Sequence, residues 1–215
     1  MPASLAAIIG HMAAFIGHMT RYNGHMTTLS FVAKEVGVNE RTLRRAVSEG
    51  ALRATRPSPR KLELPFSEDR YVRRHWPLIA KLREALRTER NVRFAMLFGS
   101  AARGDDTENS DVDVIVDLRD SSLDRVLDLT GKLGDATLNS VDVVRLEDAE
   151  DDPTFLAMAL EDGRVLVDRD EVWSRLQHEA AGLRRRGRRR DARRKREALA
   201  GIDQFLQERQ WPKPS

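Results

Sequence analysis

The chain has 215 residues, 40% hydrophobic and 33% charged, enough for one large or two small domains with real cores. It contains no run of about 18 or more apolar residues, so no membrane span is expected, and without cysteine it has neither disulfides nor thiolate metal sites. The net charge of +3 conceals blocks of opposite sign, +9 over residues 1–98, −13 over 99–170 and +7 over 171–215. An acidic centre between two basic arms points to a cation-dependent core with anionic partners on its flanks.

Residues 1–26 carry a seven-residue repeat, Gly10-His11-Met12, Gly17-His18-Met19 and Gly24-His25-Met26. Three histidines at a helix-compatible spacing raise the question of a metal. The apolar Met after each His and the helix-weakening Gly before it weigh against one, and the stretch is expected to be a disordered leader, with native translation from Met19 or Met26 as a compatible start. This apolar beginning lacks a basic n-region and a small-residue cleavage site, so the protein is expected to be cytoplasmic.

Residues 27–66 read as a winged helix-turn-helix. Phe31 to Val36 forms a short amphipathic helix, Gly37 supplies the turn, and Asn39 caps a second helix through Arg41 to Val47. Val32, Val36, Val38, Leu43 and Ala46 give the shared apolar face, and small Ala33 lets the helices approach. Glu40, Arg41, Arg44, Arg45 and Ser48 are left outward; of these Glu40, Arg41, Arg44 and Arg45 are the candidate DNA contacts. The segments 51–56 and 61–64 flank Pro57-Ser58-Pro59-Arg60 as a basic hairpin. Residues 67–90 continue as connecting helices, with Ser67 as an N-cap and Pro77 at a first-turn position.

Residues 91–169 hold the chemistry. Val92 to Phe98 is a buried-strand run, and Gly99-Ser100-Ala101-Ala102-Arg103-Gly104 is the strand-to-helix turn after it. Glycine lets the backbone approach a phosphate, and the helix start with the Ser100 hydroxyl offers further anion ligands. With ten residues, Ala101 to Ser110, between it and Ser100, Asp111-Val112-Asp113 opens a second strand, Val112 to Val116. Residues two apart on a strand share a face, so both carboxylates can converge on a pair of divalent cations beside the phosphate turn; hard oxygen ligands suit Mg²⁺. Asp117 shares that parity but lies roughly 13 Å from Asp113 along the strand, and is expected at a surface strand end. After an amphipathic helix marked by Leu123, Val126, Leu127, Leu129 and Leu133, the run Val141-Asp142-Val143-Val144 sets one acid in an apolar strand, costly unless paired or metal-bound. Asp142 is therefore the expected third carboxylate, with Asp148 the weaker candidate.

Residues 170–215 form a basic helical tail, one long helix or two, with Trp173, Leu176, Ala180 and Leu183 on one stripe and Leu199, Ile202 and Leu206 on another. Between them the run from Arg184 to Arg196 packs like charges that call for nucleic acid or an acidic protein surface.

Gly99-Ser100, ten residues and Asp111-x-Asp113, with Ala102-Arg103-Gly104 between them, Val141-Asp142-Val143-Val144 later and Glu161-Asp162-Gly163-Arg164-Val165-Leu166 at the close, resembles the minimal nucleotidyltransferases of the DNA polymerase beta superfamily. The likeness covers about residues 90–168. It implies an α+β fold with a mixed sheet and flanking helices, Gly99, Ser100 and Arg103 binding the nucleotide, and Asp111, Asp113 and Asp142 as catalytic and metal-binding residues for two Mg²⁺ ions with ATP as substrate. Members similar to this chain act as antitoxins that transfer AMP from ATP to a hydroxyl of a HEPN-type toxin. The helix-turn-helix and the basic tail are additions to that pattern. The expected function is nucleotidyl transfer to a protein or RNA hydroxyl; the alternatives are a DNA-binding repressor whose transferase domain senses nucleotide or mediates assembly, and a partner that neutralises by contact alone.

Overall fold

The computed structural model describes residues 26–58 and 61–208. The histidine repeat at 11, 18 and 25 and the tip of the hairpin at 59–60 lie outside them. The described residues fold as two compact units, one comprising residues 26–47 and 52–74, the other 48–51 and 75–208.

The first described element of the first unit is β1 (Met26–Thr28). Then come α1 (Leu29–Glu35), α2 (Glu40–Ser48), β2 (Thr55–Ser58) and β3 (Lys61–Pro65), the strands forming an antiparallel sheet in the order β1-β3-β2. Gly37 takes φ +71° in the turn between the helices, where a side chain would be strained. The Asn39 side chain accepts the Arg41 N–H at 2.8 Å and so satisfies a donor at the start of α2. Leu29, Val32, Ala33, Leu43 and Ala46 are buried with Leu62 and Leu64, while Val36 and Val38 are only half-buried.

A single helix, α3 (Phe66–Thr88), replaces the two connecting helices expected on either side of Pro77. Pro77 lacks the N–H that would bond the Arg73 carbonyl, a cost that breaks an isolated helix. Tertiary burial offsets it here, since Tyr71, Val72, Trp76, Ile79, Leu82 and Leu86 are all buried. Two acids in the first turn, where the helix dipole favours negative charge, are also buried. Glu68 accepts the Arg53 N–H at 3.0 Å, and Asp69 accepts from the Thr27 hydroxyl and from Arg73 Nε.

The second unit is built on a four-stranded mixed sheet in the order β6-β5-β4-β7. Its strands are β4 (Val92–Phe98), β5 (Val112–Leu118), β6 (Val141–Arg145) and β7 (Arg164–Asp168). β4 runs antiparallel to both β5 and β7, whereas β5 and β6 are parallel and joined through α5 (Leu123–Thr137). Between β4 and β5 lies the short α4 (Gly99–Arg103), and α6 (Leu146–Glu150) and α7 (Pro153–Asp162) follow β6. The sheet residues Phe94, Met96, Phe98 and Ile115 form one core with Leu156 and Leu160 of α7 and with Val172, Leu176, Ala180 and Leu183 of α8 (Val172–Glu208). The apolar stripe expected on α5 is narrower than its leucines imply: Leu129 and Leu133 are buried, but Leu123 and Leu127 are 71% and 58% exposed. The tail is one helix rather than two, and its second stripe, Leu199 and Ile202, is exposed. Among the described residues no helix is long and apolar enough to cross a membrane.

Candidate active site

At the centre of the second unit's sheet, β4 ends in a tight strand-to-helix turn. β4 carries a nearly unbroken buried run to Phe98, and the chain then turns at Gly99 with φ +69° into α4, which Gly104 closes at φ +86°. The Ser100 carbonyl accepts the Gly104 N–H at 2.8 Å, while the Ser100 hydroxyl has no hydrogen-bond partner among the described residues. That hydroxyl and the glycine backbone are half-exposed and available to a ligand.

Asp113 stands directly over this turn. It lies opposite Phe98 across the antiparallel pair and opposite Asp142 across the parallel pair. Its carboxylate occupies the space that a Cβ on residue 99 would take. Neighbouring strands lie about 4.8 Å apart, so Asp113 and Asp142 are lateral neighbours. Asp111, exposed one residue before β5, completes the group. Burial, followed by the charges of Asp142 and then Asp111, raises the Asp113 carboxyl above the usual carboxylate range, and Arg103 pulls it back down.

The structure thus brings together Gly99, Ser100, Arg103, Asp111, Asp113 and Asp142. Asp142 does so for a different reason from burial in an apolar strand: it is exposed on edge strand β6, and the β5–β6 register brings it beside Asp113. Asp148 stands apart, held in α6 by two bonds from Arg145 at 2.6 and 2.7 Å. Asp117 is half-buried instead of lying at an exposed strand end. It pairs with Arg93 at 3.5 Å and lines a separate cavity of about 430 Å³ with Glu150, Asp170 and Arg175.

Among the described residues no three carboxylates or histidines stand close enough to enclose a metal ion outright. The three carboxylates form an open cluster in which the charges of Asp142 and Asp111 bear on Asp113.

Two residues to which the sequence assigns no role frame this site. Arg164, at the start of β7, is 2% exposed; its Nε donates to the Ala102 carbonyl of α4 at 2.7 Å and its Nη1 to the Ala51 carbonyl at 3.3 Å. His75 is 4% exposed, and its Nε2 lies 2.6 Å from Asp106 Oδ1, in the loop joining α4 to Asp111. Arg164 stands in the closing stretch Glu161-Asp162-Gly163-Arg164-Val165-Leu166, without a role of its own there; nothing in the sequence marks His75.

Residues 80–172 match the family model described as polymerase beta, nucleotidyltransferase. This stretch, rather less than half of the chain, is similar to the nucleotidyltransferases of the polymerase beta family. The matched residues include the turn, the three carboxylates and strands β4 and β7 of the candidate site. A search of solved structures finds a toxin–antitoxin crystal structure with AMP-PNP, at 22% identity and TM-score 0.45, covering 60% of this chain and 98% of that one. It also finds a tri-AMPylated Shewanella oneidensis HEPN toxin in complex with MNT antitoxin, at 19% identity and TM-score 0.42, covering 61% of this chain and 98% of that one. No curated protein matches the chain.

The candidate DNA contacts belong to the first unit. Glu40 and Arg44 form an i,i+4 ion pair at 2.5 Å on α2, with Arg41 and Arg45 exposed beside them.

Proposed function

We propose that the nucleotidyltransferase domain transfers AMP from ATP to a hydroxyl of a partner protein or RNA. The observation that carries this reading is the convergence of Asp111, Asp113 and Asp142 on the Gly99-Ser100 turn, inside the segment that matches the polymerase beta family. The Gly99 backbone, the Ser100 hydroxyl and Arg103 hold the triphosphate. Asp111, Asp113 and Asp142 would hold two Mg²⁺ ions, which when bound neutralise the triphosphate and the leaving pyrophosphate. The acceptor oxygen attacks the α-phosphorus, the bond to the β-phosphate oxygen breaks, pyrophosphate departs and Asp142 takes the hydroxyl proton. The resemblance of the motif set to minimal nucleotidyltransferases makes a HEPN-type toxin the first acceptor to test. Incubating the full chain with labelled ATP, Mg²⁺ and such an acceptor yields a labelled acceptor with the wild type and none with Asp111→Ala/Asp113→Ala. Equal absence of nucleotide binding and labelling in both proteins would sink the reading.

The first unit supports a second activity. Exposed Arg41 and Arg45 on a helix held by the Asn39 cap and the Gly37 turn, with the β2–β3 hairpin in the same unit, suit a winged helix-turn-helix that binds DNA. On this reading the chain represses transcription, and the transferase domain senses nucleotide.

A further inference from the structure

The basic run of the tail divides between two faces of α8. One face is committed to the fold: Val172, Leu176, Ala180 and Leu183 are buried in the core, a Cβ on Gly187 would press on Thr154, Arg190 bonds the Asp151 carbonyl, and Asp191 accepts the Thr154 hydroxyl. At 100° per residue, Arg185, Arg189 and Arg196 fall within about 40° of the side opposite that line, and Arg188 and Lys195 lie on its flank. All five are exposed, and none has a hydrogen-bond or ion-pair partner among the described residues. They extend over roughly 16 Å of helix. No acid interrupts them, because Asp191 is turned toward Thr154, and the residue between their two groups is Ala192, which lets a partner's backbone come close.

We propose that this outward face of α8 binds the sugar–phosphate backbone of duplex DNA without reading its sequence. Five unpaired cations on a rigid rod repel one another until polyanionic charge is brought near. Four of the five are arginines, whose forked guanidinium matches phosphate oxygens. From Ala192 to Phe205 the helix is exposed all round, and a bare helix is about as wide as the B-form major groove. The narrow major groove of duplex RNA does not admit it. Single strands are held largely by stacking on aromatic rings, and the helix has none from Arg184 to Ala200. A protein partner would need a large apolar anchor, which this face also lacks between residues 185 and 196. This surface belongs to the second unit and is separate from the DNA-binding reading of α2.

The test measures fluorescence anisotropy of the full chain with a short labelled duplex of arbitrary sequence, titrated between about 50 and 200 mM salt. Replacing all five cations by glutamine (R185Q, R188Q, R189Q, K195Q and R196Q) should make the slope of log affinity against log salt shallower by about 4 to 5. The pair R188Q and R189Q alone should make it shallower by about 2, which keeps the test decisive if the five-site variant folds poorly. Arg→Lys at the four arginines should leave the slope unchanged, because charge rather than fork geometry sets it. An unchanged slope in both glutamine variants overturns the proposal, as does tighter binding of single-stranded RNA or of an acidic polypeptide to the same face. R44A and R45A serve as the control: loss of binding with those alone, and full retention with the glutamine variants, assigns DNA to α2 and refutes this surface.

Discussion

Gly99 and Asp113 exclude each other's alternatives: the Asp113 carboxylate fills the position a β-carbon on residue 99 would need, and residue 99 also holds φ +69°. The left-handed conformation costs a non-glycine residue about 1 to 2 kcal/mol. Gly99→Ala should therefore lose about that much stability in denaturant titration. It should also lose roughly 100-fold in nucleotidyl transfer, since displacing a catalytic group by an ångström has that order of effect. Transfer at the wild-type rate would show that Asp113 does not work from this position.

Asp113 should weaken the fold that carries it. Its folded carboxyl sits above the ordinary range because of burial and the neighbouring charges of Asp142 and Asp111. The native state therefore keeps the proton in a pH window where the unfolded chain has already released it, and stability falls as pH rises through the folded pKa. Asp113→Asn removes this penalty. The variant's stability advantage over wild type should be larger at pH 7 than at about pH 3, measured by thermal denaturation without divalent cation. Adding Mg²⁺ should then raise the wild-type midpoint more than the variant's.

At the far end of α5, Leu138 closes the helix in the left-handed conformation, at φ 60° and ψ 30°, with its side chain 84% exposed. Glycine does this without steric strain. Leu138→Gly should raise stability by about 0.5 to 1 kcal/mol, read as a higher denaturant midpoint at unchanged slope.

The parts of the site that could be read directly are those where chemistry and local geometry coincide. Gly99, Ser100, Asp111 and Asp113 lie within fifteen residues on adjoining elements, and strand parity alone predicts that the two acids share a face. Asp142 was legible for the wrong physical reason. Its apolar neighbours suggest a buried acid, but the strand is at the sheet edge and the acid is exposed; what brings it beside Asp113 is the parallel register with β5, a long-range pairing that periodicity does not contain. Pro77 misled in the opposite direction, since a local helix-breaking rule gave way to the burial of Trp76 and Ile79 on either side. Likewise Leu123 and Leu127 carry helix periodicity, but their neighbours cover only the side of α5 that bears Leu129 and Leu133. His75 and Arg164 act through partners 31 and 62 residues away, so no sequence window contains both members of either contact.

The bond from Arg164 to the Ala102 carbonyl imposes an order in time. Every carboxylate of the trio and the whole phosphate turn have been synthesised by residue 142, yet the side chain that anchors α4 from beneath arrives twenty-two residues later, with the strand that closes the sheet beside β4. A chain emerging from the ribosome carries the acids well before it can hold the turn in place. The turn beside the three acids therefore gains this anchor only once β7 has been made and paired with β4.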